Sequence, residues 1–158
     1  MKQILLTPLL LALALAGPAL AQQEQDTVQW QYHAEPVPGV SDQVELVFQA
    51  RISDGWILYA SDFQPIEFGP RPARVAVEGD ASIVGEPQAV GSRSATQRNF
   101  AGEYTYTYFS GTAELRQRVK VAAQTGQVQG LLNAQTCFEA SGLCTLVRES
   151  FTVDLLRG

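Results

Sequence analysis

The sequence is short of most residues that carry chemistry in proteins. Among 158 residues there is one His, one Met and two Cys, and only 17% are charged. One His beside two Cys is too small a set for the usual four-ligand zinc cage, and two Cys are too few for a miniprotein built on a disulfide framework. A metal is therefore not expected. Basic residues are also scarce, 11 against 16 acidic, for a formal charge of −5. An acidic surface disfavours nucleic acid and anionic membranes as partners. The apolar fraction of 46% is that of an ordinary globular chain, not a disordered one. At about 100–200 residues per domain, the length suits a single domain.

Long apolar runs are absent with one exception. Met1 and Lys2 precede an apolar stretch from Ile4 to Leu15, interrupted only by Thr7 and Pro8; Gly17, Pro18 and the triplet Ala19-Leu20-Ala21 follow. One positive charge, a short apolar stretch and an A-x-A site, in that order, predict a secretory signal peptide over residues 1–21, cleaved after Ala21. Gln22, not Cys, would head the mature chain, which argues against a lipoprotein. No later window approaches the roughly 18 apolar residues of a membrane helix, so the mature chain is expected in an oxidising compartment without direct membrane insertion. Residues 22–27 read as a flexible N-terminus and 28–158 as the folded domain.

From Val28 onward the hydropathy alternates with a period of two. Val28-Gln29-Trp30-Gln31-Tyr32-His33-Ala34 does so, as do Val44 to Ile52, Arg116 to Val121 and Phe151 to Leu155. Tyr104-Thr105-Tyr106-Thr107-Tyr108 is the clearest case, with tyrosines on one face and threonines on the other. Gly, Pro and Asp mark reversals at Pro36 to Gly39, Ser53 to Gly55, Glu78 to Asp80, Ser110 to Thr112 and Gln124 to Gly126. No mature segment carries the 3.6-residue period of an amphipathic helix. The pattern predicts an all-β sandwich of about seven to nine strands.

Chemistry points to one segment, Asn133 to Val147, which holds both cysteines. Glu139-Ala140-Ser141-Gly142 supplies a turn, so Cys137 and Cys144 are expected on the two arms of one hairpin, near its mouth, with their sulfurs within bonding reach. A structural staple is one reading, worth roughly 2–3 kcal/mol for so short a loop. An accessible, labile disulfide is the other, because a short loop ties little of the fold together and lies open to a partner's thiol. No thioredoxin-type CxxC and no nucleophile triad are present. His33 reads as a strand-face residue, and the tyrosine stripe as cross-strand packing or a binding platform.

The motif Asp54-Gly55-Trp56-Ile57-Leu58-Tyr59, the segment Asn99-Phe100-Ala101-Gly102-Glu103 and the closing Gln135-Thr136-Cys137…Cys144 hairpin occur in a familiar order. The chain resembles the N-terminal periplasmic domain of the thiol:disulfide interchange protein DsbD, which also occurs as a free-standing disulfide bond corrector type protein. The resemblance runs from about Trp30 to Leu155 as an order of motifs. It implies an immunoglobulin-like β-sandwich in the periplasm, acting as a monomer. The family passes electrons from a membrane-embedded DsbD-like reductase to thioredoxin-fold periplasmic proteins through its cysteine pair, which implies that no cofactor is needed. Carried over, Cys137 and Cys144 are the exchanging pair, with Cys144 facing the partner. Phe100 is the cap that shields the sulfurs, with Tyr59 and Trp56 in the pocket and Glu103 the nearest carboxylate. The Pro-Pro often found after the second cysteine is replaced by Thr145-Leu146, and acidic residues beside the cap Phe by Arg98-Asn99. The competing expectation is a non-catalytic periplasmic binding or chaperone-like module with a structural disulfide and Trp56, Tyr59 and Phe100 as contacts.

Overall fold

A computed structural model describes residues 27–155; the predicted signal peptide and most of the predicted flexible N-terminus lie outside the described residues. The alternating segments become strands because each buries one apolar face and leaves the other polar. In chain order these are β1 (Val28–Pro36), β2 (Gln43–Ile52), β3 (Trp56–Tyr59), β4 (Arg74–Val77) and β5 (Ala81–Val90). There follow β6 (Arg93–Asn99), β7 (Gly102–Ser110), β8 (Thr112–Val121), β9 (Gln127–Phe138) and β10 (Leu143–Asp154). Among the described residues there is no helix, and none long and apolar enough to cross a membrane.

Two antiparallel sheets face each other. One has the order β1-β2-β8-β5; the other runs β10-β9-β3-β7-β6, with β4 also paired to β9. Leu46 and Phe48 of β2 and Leu115 and Val119 of β8 meet Leu58 of β3, Leu132 of β9 and Phe151 of β10 in one core. The rings of Phe48 and Phe151 join the sheets directly, edge to face with centroids 4.9 Å apart. Burying each such side chain is worth roughly 1.5–3 kcal/mol, so this layer carries the fold.

The all-β sandwich is as expected, but ten strands exceed the expected seven to nine. The additional ones lack the alternating signal for a physical reason. β5 and β6 are edge strands, each with one side open to solvent. Most side chains of β6 are exposed, and β5 carries Pro87 where its register with β8 shifts between Val84 and Gln88. Proline is tolerated there because an edge position leaves its missing N–H without consequence. β4 is four residues long, too short to show a period.

β9 and β10 form the longest hairpin, and their period decides where the cysteines point. Leu132, Ala134 and Thr136 face inward and are buried. Cys137, one residue on, therefore faces outward, away from the sandwich core.

Candidate functional site

Cys137 and Cys144 stand directly opposite each other in the β9–β10 register. Their Cα atoms are 4.0 Å apart and the disulfide is formed; so close an approach is typical of a non-hydrogen-bonded antiparallel pair. Two contacts from the preceding motif hold the hairpin. The Glu139 N–H donates to the Gly55 carbonyl at 2.8 Å, and the Thr136 hydroxyl donates to the Ile57 carbonyl at 2.7 Å. Gly55 has φ +77 and sits so near the Phe138 ring that an added Cβ would lie 2.6 Å from it. The indole of Trp56 packs on the same ring, centroids 5.4 Å apart. The Asp54-Gly55-Trp56 turn is thus the seat of the cysteine hairpin.

Alternation along β3 separates two of the expected pocket residues. Trp56 packs against the sandwich core with Leu58, whereas Tyr59 joins Ile57, Phe63, Tyr106 and Cys137 in a second cluster on the outer face, flanked by Ala95, Tyr104 and Tyr108. Tyr59 meets Tyr106 edge to face at 5.2 Å, and Tyr104 and Tyr108 continue the row on either side of Tyr106. The tyrosine stripe therefore packs around a sulfur, not within the sandwich core. Burial, reinforced by Tyr106 and Tyr104, pushes the Tyr59 hydroxyl up to about 12. Burial also raises Tyr106, whose neighbours Tyr104, Tyr108 and Glu139 add to the effect. Both phenols stay neutral at physiological pH, so the aromatic row itself brings no charge to the side of Cys137.

The two sulfurs differ in access. Cys137 is 4% exposed, while Cys144 is exposed on β10, an edge strand. Leu143 and Leu146, beside it in sequence, are 64% and 58% exposed. The Gly142 carbonyl oxygen lies 3.4 Å from Cys144 Sγ, where a reduced thiol would find an acceptor.

Phe100 lies at the tip between β6 and β7 and is 82% exposed. Its ring rests on that of Phe68, with centroids 4.9 Å apart. Asn99 accepts the Ala101 N–H at 2.8 Å and tightens this tip. Glu103 pairs at 4.0 Å with Arg98, both side chains well exposed. His33 sits on the other sheet and meets Glu35 at 3.2 Å. Among the described residues no group of three or more His, Cys, Asp or Glu side chains is placed to hold a metal. Phe63 and Phe68 went unnoticed in the sequence, because they lie in an irregular connection after β3 where no period marks them.

A two-sheet antiparallel sandwich with a short disulfide across its terminal hairpin defines the class, an all-β sandwich of immunoglobulin-like type. Among solved structures, the N-terminal periplasmic domain of ScsB from Proteus mirabilis superposes with a TM-score of 0.50 at 14% identity, over 85% of this chain and 49% of that one. The Neisseria meningitidis DsbD N-terminal domain in its reduced form aligns with a TM-score of 0.48 at 20% identity, covering 73% of this chain and 78% of that one. At such identities the likeness concerns the fold. No family model and no curated protein sequence matches the chain.

Proposed function

We propose that the chain is a periplasmic thiol:disulfide exchange protein that relays electrons between a membrane-embedded DsbD-like reductase and thioredoxin-fold proteins, acting as a monomer. The observation that carries this reading is the asymmetry of the pair: one sulfur buried in an aromatic wall, the other exposed on an edge strand between two exposed leucines. Exposed disulfides are the labile ones, and a staple across one short hairpin does little for a fold whose core lies elsewhere.

In the reducing direction, the Cys144 thiolate attacks one sulfur of a partner disulfide. An intermolecular disulfide forms and the partner's other sulfur leaves as a thiolate. Cys137, deprotonated, then attacks Cys144 Sγ and expels the partner's second thiolate. The partner has gained two electrons and this domain has lost them; reversing the steps recharges the domain from the reductase. Burial of Cys137 suits it to resolving, since only a sulfur already bonded to its neighbour need reach it.

Cys137→Ala should trap a mixed disulfide through Cys144 when the reduced variant meets an oxidised thioredoxin-fold protein. Absence of that adduct, together with a reduction potential below about −300 mV, would leave a structural bond in a non-catalytic module instead.

A further inference from the structure

Residues on the outer face of the β9–β10 hairpin fall into rows. Cys137, Gln135 and Asn133 alternate with the buried Thr136, Ala134 and Leu132, so all three face outward. Their partners across the register, Cys144, Leu146 and Arg148, share that face. On the other side of Asn133 stands Arg74 of β4. Because Val75 and Val77 pack on the core, alternation turns Arg74 outward as well. Two arginines thus flank Asn133 in one row, roughly 13 Å from the disulfide along the strands.

A third arginine comes from the connection between β3 and β4. Residues 70–72 are Pro-Arg-Pro, and proline lacks an N–H, so the Arg71 N–H is the one backbone donor of the triplet. It donates to Gln135 Oε1 at 2.7 Å, in the row next to the disulfide. Pro70 is buried, and the ring of Pro72 keeps the Arg71 backbone extended. The exposed Arg71 side chain therefore starts from a stiff, anchored segment at the rim of the site.

None of the three meets a carboxylate. Ion pairs among the described residues engage Arg98, Arg116, Arg118 and Lys120 instead. The Arg74 guanidinium donates to the neutral carbonyls of Ser61 and Ala73, each at 3.0 Å. The side chains of Arg71 and Arg148 are exposed and make no hydrogen bond or ion pair among the described residues. In a chain of formal charge −5, this face reverses the sign. At the turn of the hairpin, on the far side of the disulfide, the carboxylate of Glu139 acts on Tyr106. The disulfide therefore lies between a positive side, toward the body of the hairpin, and a negative tip.

We infer that Arg71, Arg74 and Arg148 form a docking surface for an acidic partner, a disulfide protein whose carboxylates flank its reactive cysteine on the side that meets the body of the hairpin. Its purpose rests on the exchange reading above. Complementary charge of this kind steers encounter and fixes orientation more than it adds affinity. One cation about 10 Å away changes the local concentration of a unit charge about twofold in low salt, and hardly at all once salt screens it.

Two small disulfides of opposite charge test this: glutathione disulfide, which is a net anion, and cystamine, which carries only ammonium groups. Each oxidises the reduced domain by the exchange steps given above and leaves as a pair of small thiols. The ratio of the two rates reports the field at the attacking sulfur, because thiol acidity and steric shielding cancel. Arg71→Gln and Arg148→Gln remove exposed, unbonded side chains, so the fold is retained. In about 10 mM salt each should lower the ratio of the glutathione disulfide rate to the cystamine rate about two- to fivefold, and the double variant should lower it further. At about 1 M salt variants and wild type should converge. Arg51→Gln, at an exposed arginine of β2 on the other sheet, should leave the ratio unchanged. A ratio that stays put in the double variant, or falls as far in Arg51→Gln, would overturn the proposal. Failure of the Cys137→Ala trap bears on exchange with a thioredoxin-fold protein and leaves these ratios readable.

Discussion

Gly55 shows how one residue can serve the site without touching a sulfur. Its positive φ turns the chain into β3, and its bare Cα lets the Phe138 ring pack against the turn. Its carbonyl receives the Glu139 N–H from the cysteine hairpin. Alanine here meets both a left-handed backbone and a ring. Gly55→Ala should therefore cost at least about 1 kcal/mol in a denaturant titration. Hydrogen exchange in that variant should quicken first around Phe138 to Gly142, because it is the hairpin seat that loosens. Trp56 is as close in sequence to the site yet serves a different surface: one step along a strand moves a side chain from the outer cluster to the core. The resemblance placed Trp56 and Tyr59 together in a pocket, whereas the strand puts them on opposite faces of one sheet.

At the scale of elements, the β9–β10 hairpin has two halves with different tasks. Its base, with Leu132, Phe151 and Val153, is part of the core. Its mouth, with Cys137, Cys144 and two exposed leucines, carries the disulfide beside the outer aromatic cluster, apart from that core. The division predicts that removing the disulfide loosens the mouth and spares the fold. Cys137→Ala with Cys144→Ala should lose no more than the roughly 2–3 kcal/mol that so short a closed loop supplies, and unfold in one cooperative transition. A loss of the whole tertiary structure would instead assign the bond a structural role. Edge placement of β10 matters too. An edge strand is reachable from the side, so a partner can approach Cys144 without displacing another strand.

For the whole molecule, a cluster of ion pairs lies on the sheet opposite the site. Arg116 of β8 donates to Glu35 at 2.8 Å, to Glu45 at 3.1 Å and to Glu114 at 2.6 Å, above the buried Val47. Its hydrogen bond holds the Glu35 carboxyl below the usual carboxylate range, with a further contribution from His33. Glu114 is lowered by Gln49 first and then by Arg116. Carboxyls lowered in the folded state stabilise it above their unfolded pKa, and that stability is lost as pH falls through the folded value. The thermal midpoint should thus decline below about pH 4.5, and Arg116→Met should flatten the decline. Because these groups are partly solvated, added salt should shrink the difference between variant and wild type.

Much of this was legible in the chain itself. A period of two with turn residues at short intervals dictates antiparallel strands, since only a strand puts alternate residues on one buried face. The Glu139 to Gly142 turn between two such runs brings Cys137 and Cys144 into register. The edge strands β5 and β6 show no such period, because what holds them is backbone pairing, which leaves little trace in side-chain order. The access of each sulfur also had to wait for the tertiary structure. Cys137 is buried because β3 and β7 lay an aromatic row beside it, and Phe68 meets Phe100 only because two distant loops converge. Burial and ring contact depend on neighbours remote in sequence, and no local pattern encodes them.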